Sequence, residues 1–217
     1  QPASPEADYL AVLREAANAV TSVSASAPTQ LRKKSKKADY VIITTPELEA
    51  ASTSLANYRK KQGLTPKVVL IEEIMNEFND GIYDPRAIRS FLTFAYQNWV
   101  KPPKYVILAG NGTYDYKDHL GHGDNLIPTL MAETTMGLAA SDNLFAKLEG
   151  DPVPKIAVGR LPVLTGEELQ VIVDKIKFYE IAQKHRISHC GKAFHEAAGS
   201  DEGLSSVPAH HDDSFCG

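Results

Sequence analysis

The sequence predicts an α/β fold: an open, mostly parallel, doubly wound sheet with helices on both faces. Two observations carry this. Short apolar segments rich in β-branched and aromatic residues alternate with stretches of helical periodicity. Those segments are apolar at nearly every position, so they suit a sheet covered on both sides, which parallel strands joined by right-handed crossovers provide. The composition agrees. Hydrophobic residues are 43% of the 217 and charged residues 23%, enough apolar material for a core and too much for wholesale disorder. A net charge of −4 gives no global basic field, so nucleic acid is not an expected partner. Unbroken apolar runs are only a few residues long, as in Tyr40-Val41-Ile42-Ile43, so no transmembrane segment is expected.

The elements follow in order. Asp39 to Thr45 is the first buried-type strand. Pro46 and Glu47 open a helix with Leu48, Ala51, Leu55 and Tyr58 on one face, and Gly63 closes it as a C-terminal cap. Lys67 to Ile71 is the second strand, and Glu72 to Phe78 a short helix broken at Asp80-Gly81. Asp84-Pro85 starts a further helix, with Asp at the cap and Pro at the first helical position. It runs through Ile88, Phe91, Leu92, Ala95 and Trp99 to Lys101-Pro102-Pro103. Tyr105 to Ala109 is the third strand, followed by a long loop from Gly110 to Ala140. Asn143 to Leu148 and Lys155 to Val158 read as short strands flanking Gly150-Asp151-Pro152. Thr165-Gly166-Glu167-Glu168 caps a last helix with Leu169, Ile172, Val173, Ile176 and Tyr179 on its apolar side.

Both ends differ in character from this body, residues 38–180. Residues 1–37 are rich in Ala, Ser and Pro, with one helix expected over Glu6 to Val20. Leu31-Arg32-Lys33-Lys34-Ser35-Lys36-Lys37 then reads as a solvated basic linker, because its basic residues have no interleaved aromatics. Residues 181–217 hold five of the seven histidines and both cysteines, Cys190 and Cys216, without helical or strand periodicity, and read as an irregular tail outside the core. The change at about residue 181 suggests truncation or a shifted reading frame.

In an open parallel sheet, ligands and catalytic groups gather at the carboxyl ends of the strands. Here those ends are Thr44-Thr45, Gly110 to Asp118, and Gly159-Arg160. Gly110-Asn111-Gly112 is half of a phosphate-binding turn without its third glycine or a Lys-Ser/Thr pair, so it reads as close backbone approach rather than a nucleotide site. The histidine of Gly121-His122-Gly123-Asp124 lies in the long loop, where the glycines more simply make turns. Cys190, His195, His210, His211 and Cys216 match no usual zinc spacing. A nucleophilic pair of Cys190 with His185 or His195 lacks the structured, electropositive site that activates a thiol. The loop carboxylates Asp115, Asp118, Asp124 and Asp142 are of the type that holds Ca²⁺, with surface solvation or capping as the simpler reading. Asp115, Asp118 and Asp142 are the named metal candidates.

Four segments resemble the gingipain-type cysteine peptidases of the caspase-like clan: Ala38 to Thr44, Tyr105 to Lys117, Ser141-Asp142-Asn143, and Ile156-Ala157-Val158-Gly159-Arg160-Leu161-Pro162, the last running on to Asp174-Lys175 and Tyr179-Glu180. The resemblance implies a caspase-like, Rossmann-like sheet corresponding to the first of two subdomains. It further implies proteolysis by a Cys–His dyad in the full-length enzyme, a protein or peptide substrate, a second subdomain as partner, export to the exterior or cell surface, and structural Ca²⁺. Neither Gly121-His122-Gly123-Asp124 nor either cysteine falls where the family's dyad lies, so no catalytic residue is named and the chain by itself is expected to be inactive. Two alternatives remain: a non-catalytic α/β binding or interaction module of the same fold, and a small-molecule or nucleotide-binding α/β domain.

Overall fold

The computed structural model describes residues 29–198 except 117, 122, 124 and 149–152, with side chains described as far as Gln183. The expected helix over Glu6 to Val20 lies outside the described residues.

Strand β1 (Tyr40–Thr44) leads through a 3₁₀ turn (Pro46–Leu48) into α1 (Glu49–Lys61). Strand β2 (Pro66–Leu70) runs directly into α2 (Ile71–Phe78), and α3 (Pro85–Asn98) precedes β3 (Tyr105–Ala109). A hairpin of β4 (Met131–Thr134) and β5 (Gly137–Ala140), the short α4 (Asn143–Ala146), β6 (Ala157–Leu161) and α5 (Gly166–Ala198) follow. The main sheet has the order β2-β1-β3-β6 with every pair parallel. The expected doubly wound α/β sheet is present.

Period-two alternation decides which residues enter which layer. Val41 and Ile43 of β1, with Val106 and Leu108 of β3, face α2, α3 and α4 in one core cluster. Tyr40 and Ile42, with Ala109, face α1 and α5 in the other. The local signals act as read. Asp84 accepts a hydrogen bond from the Arg86 N–H at the start of α3. Thr165 Oγ1 accepts from the Glu168 N–H, and Glu168 Oε2 accepts in return from Leu164 N at 2.9 Å. Gly63, at φ +89°, ends α1 with Leu64 N donating to Arg59 O and Gly63 N to Lys60 O, the paired bonds of a Schellman cap.

Three expectations are corrected and a fourth is refined. The stretch Gly110 to Ala140 is not loop throughout, because its last third forms the antiparallel β4–β5 hairpin, whose second strand is exposed at every residue. Asn143 to Leu148 is not a strand: its start is a helical turn, with Leu144 N and Phe145 N donating to Ser141 O and Asp142 O, and Phe145 fully buried. The last helix does not stop at Glu180 but continues to Ala198, so the tail expected to be irregular is helical in its first half. No proline interrupts 166–198, and Gly191 alone costs only about 1 kcal/mol in a helix.

Finally, the basic stretch is solvated over most of its length, as expected, but it is anchored at its start. Leu31 is buried, its N–H donates to Glu77 Oε2 at 2.8 Å, and its carbonyl accepts from Trp99 Nε1 at 2.9 Å. Arg32 lies over the Phe78 ring at 4.2 Å while its Nε and Nη2 donate to Glu77 O. The aromatics missing from the local sequence come from α2 and α3 instead.

Candidate functional site

The connections leaving β1 and β3 depart to opposite faces of the sheet, which makes their junction the topological switch point of the order β2-β1-β3. A crevice of about 330 Å³ opens beside it. It is lined by Thr45, immediately after β1, by Glu47 from the 3₁₀ turn and Glu72 from the first turn of α2, and by Tyr83, Tyr116 and Asn125 from the segments before α3 and after β3.

The polar groups of this crevice are unequally satisfied. Tyr83 donates to Leu126 O at 2.8 Å and Tyr116 to Thr129 O at 2.5 Å, and burial pushes both phenols above their ordinary range. Asn125 Oδ1 accepts from Thr113 N at 3.0 Å, but its Nδ2 is buried without a partner, and so is Thr45 Oγ1. The Glu47 carboxyl is held below its usual range by its own backbone N–H and the nearby Thr45 hydroxyl, which approaches it without hydrogen-bond geometry. Desolvation pushes Glu72 the other way, and Glu47 and Glu73 add to that by repulsion.

Next to the crevice the long segment after β3 is stapled down by Arg160 of β6. Its Nε donates to Asp142 Oδ2 at 2.7 Å and its Nη2 to Asp142 Oδ1 at 2.8 Å. Its Nη1 donates to Gly110 O at 2.8 Å and to Ile127 O at 2.7 Å. Gly112 bears out close backbone approach: a Cβ there would lie 2.8 Å from Arg160 Nη1 and against the Ile127 carbonyl. Gly110, at φ +145°, would set one 2.9 Å from Ile127 Cγ1.

The structure does not bring the three metal candidates together. Asp142 spends both oxygens on Arg160 and also accepts from Thr129 Oγ1 at 3.2 Å. Asp115 accepts from Leu120 N at 2.7 Å, and Asp118, at φ +53°, from Gly123 N at 2.8 Å, so both fold turns of their own loop. Among the described residues no three His, Cys, Asp or Glu side chains are grouped to hold a metal. His122, Asp124, His210, His211 and Cys216 lie outside the described residues, as do the side chains of His185, Cys190 and His195. Of the named strand ends, Thr45 reaches the crevice, and Arg160 supports the segment that forms its wall. Glu47, Glu72, Tyr83 and Asn125 were not singled out from the sequence. Their only shared signal is a place near a strand's carboxyl end or a helix start, which many surface residues have.

With this geometry established, comparisons place the chain among known proteins. The profile of peptidase family C25 matches residues 33–211. The crystal structure of dimeric latent PorU from Porphyromonas gingivalis superposes with a TM-score of 0.55 at 28% identity, over 64% of this chain and 15% of that one. A structure described as that of a protease superposes with a TM-score of 0.52 at 17% identity, over 66% of this chain and 28% of that one. The chain thus spans well under a third of either relative. No curated protein sequence matches it.

Proposed function

This chain belongs to peptidase family C25, the gingipain family, and from that premise we propose that it is the first α/β subdomain of a cysteine endopeptidase. The nucleophile and its histidine would then be supplied by a second subdomain. One observation supports this reading above others. Two separated segments of the family pattern, Ser141-Asp142-Asn143 and Val158 to Pro162, meet in space through the Asp142–Arg160 fork, so the pattern here builds a scaffold and not a reactive centre. In the whole enzyme a thiolate would attack the peptide carbonyl while the histidine moves the proton to the leaving amine. The expected substrates are proteins or peptides.

The test is hydrolysis of a mixed fluorogenic peptide library by the chain alone, together with labelling by a thiol-directed peptidyl probe. No turnover is expected. Turnover abolished by Cys190→Ser would overturn the proposal.

A second reading, a non-catalytic interaction module, draws on the surface. Among the described residues strand β6 pairs on one side only, and α5 carries exposed Val171, Phe178 and Ile181 close by in sequence. The same surface suits the second subdomain of the first reading. Self-association of the chain in sedimentation experiments would favour the module, and a monomer that binds a separately produced second subdomain would favour the peptidase. Among the described residues no helix is long and apolar enough to cross a membrane. Secretion or surface display is part of the proposal and follows from family membership alone.

A further inference from the structure

We propose that the amino-terminal edge of the main sheet docks onto an anionic phospholipid bilayer, with the lysines of residues 33–37 and Lys104 on the headgroups and Val100 and Tyr105 at the interface. This goes beyond the peptidase reading and does not depend on it.

The strands of the main sheet are all parallel, so their first residues share one edge, opposite the carboxyl ends. Two segments distant in sequence meet at that edge. Residues 32–37 and 101–104 together carry seven basic and no acidic side chains, in a chain whose net charge is −4. Their backbones are joined. Val100 N donates to Lys34 O at 3.2 Å and to Lys36 O at 3.0 Å, and Lys37 pairs with Lys101 in a parallel bridge. Lys104 N donates to Asp39 O at 2.9 Å, just before β1. A third segment adds Lys67, at the start of β2. Burial pushes its ammonium below the usual range, and Lys36 is near enough to add to that by repulsion, with Glu73 acting the other way.

Most of this charge is uncommitted. Arg32 is spent on Glu77 O and on the Phe78 and Phe94 rings, and Lys101 on Asp39 and on Thr65 Oγ1 at 2.7 Å. Lys33, Lys34, Lys36, Lys37 and Lys104 have no ion pair among the described residues, and all but Lys36 are exposed. Like charges gathered at one edge repel one another, a cost that an anionic surface removes. The chemistry of the groups selects that surface. With Arg32 occupied, what remains is ammonium point charges, which suit a diffuse layer of headgroups better than bidentate recognition of single phosphates or bases. Among them stand two side chains that a soluble polyanion would leave in water. Val100, 64% exposed, is bonded through its N–H to the backbone of Lys34 and Lys36, and Tyr105, 45% exposed, follows Lys104. An apolar and an aromatic side chain set among lysines match the water–lipid boundary, where the first enters the acyl region and the second sits at headgroup level. Clusters of about four to eight basic residues are what an anionic leaflet attracts. Docked this way, the carboxyl ends of the strands face away from the bilayer, one strand length of about 16 Å further out.

Flotation of the full chain with lipid vesicles tests this. Binding is expected to vesicles holding about 30% phosphatidylserine in about 0.1 M salt, and not to pure phosphatidylcholine. It is expected to be lost in about 0.5 M salt, where charges are screened within a few ångströms. Each uncommitted lysine contributes about fivefold to partitioning, so Lys34→Gln combined with Lys37→Gln should weaken it by about twenty-five-fold. Val100→Ser should weaken it by about threefold without any change of charge. Arg86→Gln combined with Lys175→Gln removes two charges at the start of α3 and in the middle of α5, and should leave partitioning within about twofold. Trp99 fluorescence verifies that each variant is folded. The proposal fails if the anionic vesicles do not bind the chain, if both vesicle types bind it equally, or if the two paired variants lose binding alike. It fails also if Val100→Ser binds undiminished, or if the chain is retained on heparin yet ignores the anionic vesicles, which would assign the edge to a glycan.

Discussion

Arg160 offers the sharpest test of how the loop after β3 is held. Replacing it with leucine removes one guanidinium that reaches four acceptors: both Asp142 oxygens and the carbonyls of Gly110 and Ile127. Charge-assisted hydrogen bonds contribute about 1.5–3 kcal/mol each, so a simple sum of four gives about 6–12 kcal/mol as an upper bound. Two facts reduce it. The Arg160 side chain is only 14% exposed, but Asp142 keeps 26%, so water recovers part of the carboxylate's solvation. The terms are also not additive within one network. Breaking a well-buried pair by removing one partner costs about 3–5 kcal/mol, and about 4 kcal/mol is expected here. Lysine keeps the charge but not the fork, and Arg160→Lys should cost about half as much, about 2 kcal/mol. Urea unfolding followed by Trp99, the single and buried tryptophan, reads this directly. With a slope of about 2 kcal/mol per molar for a body of this size, Arg160→Leu should lower the midpoint by about 2 M. In a cycle with Asp142→Asn the two losses should couple by at least about 1.5 kcal/mol. A cost below about 1 kcal/mol, or additive single variants, would show that the network is a surface decoration and not the staple.

Three further outcomes are expected. Gly112→Ala should lower stability by about 2 kcal/mol, read as the thermal midpoint, because the new Cβ meets the Ile127 carbonyl and the Arg160 guanidinium with no flexible atom able to yield freely. Glu77→Ala should release the stretch 29–37, since Glu77 accepts from Thr29 Oγ1, Leu31 N and Arg32 N; trypsin cleavage at Lys33 and Lys34 should speed up by about tenfold while the core remains protected. The third concerns acid. Burial pushes the Glu180 carboxyl up, but hydrogen bonds from Gln62, Arg59 and Tyr58 outweigh it and hold the group below its usual range; at Asp39 burial is likewise outweighed by Lys101 and Thr65. A depressed folded value means that this stability is fully present above the unfolded carboxylate range and is lost as pH falls through the folded values. Urea midpoints measured from pH 6 downward should therefore fall on the acid side, and Glu180→Gln should flatten that fall. A midpoint that rises on acidification would contradict the sign.

How much was legible depends on where each signal resides. Strands β1 and β3 are apolar on both faces over five residues each, and α3 carries its own start in Asp84-Pro85. The box of Thr165 and Glu168 and the cap at Gly63 are likewise complete within a few residues. Such elements can be read without neighbours, because the hydrogen bonds that define them close locally. The β4–β5 hairpin had no such mark: β5 is exposed throughout, so it shows no alternation of apolar and polar residues. The fate of Leu31 and Arg32 was hidden for another reason, since the groups that hold them, Glu77, Phe78, Phe94 and Trp99, are about fifty or more residues further along. Asp142 shows the same limit. A lone loop aspartate reads as a capping or calcium carboxylate until the partner eighteen positions away takes both its oxygens.

The sequence alone therefore determined the α/β class, the parallel core and the family, because these rest on periodicity, caps and short linear patterns that the chain carries locally. Only the tertiary structure decided which polar groups are matched and which are not. The pairing of Asp142 with Arg160, the clamp on Leu31 and Arg32, and the unmatched Asn125 amide beside Glu47 and Glu72 arise when separate segments converge at the ends of the strands. Hydrogen-bond satisfaction is a property of that convergence, and no single stretch of the chain contains it.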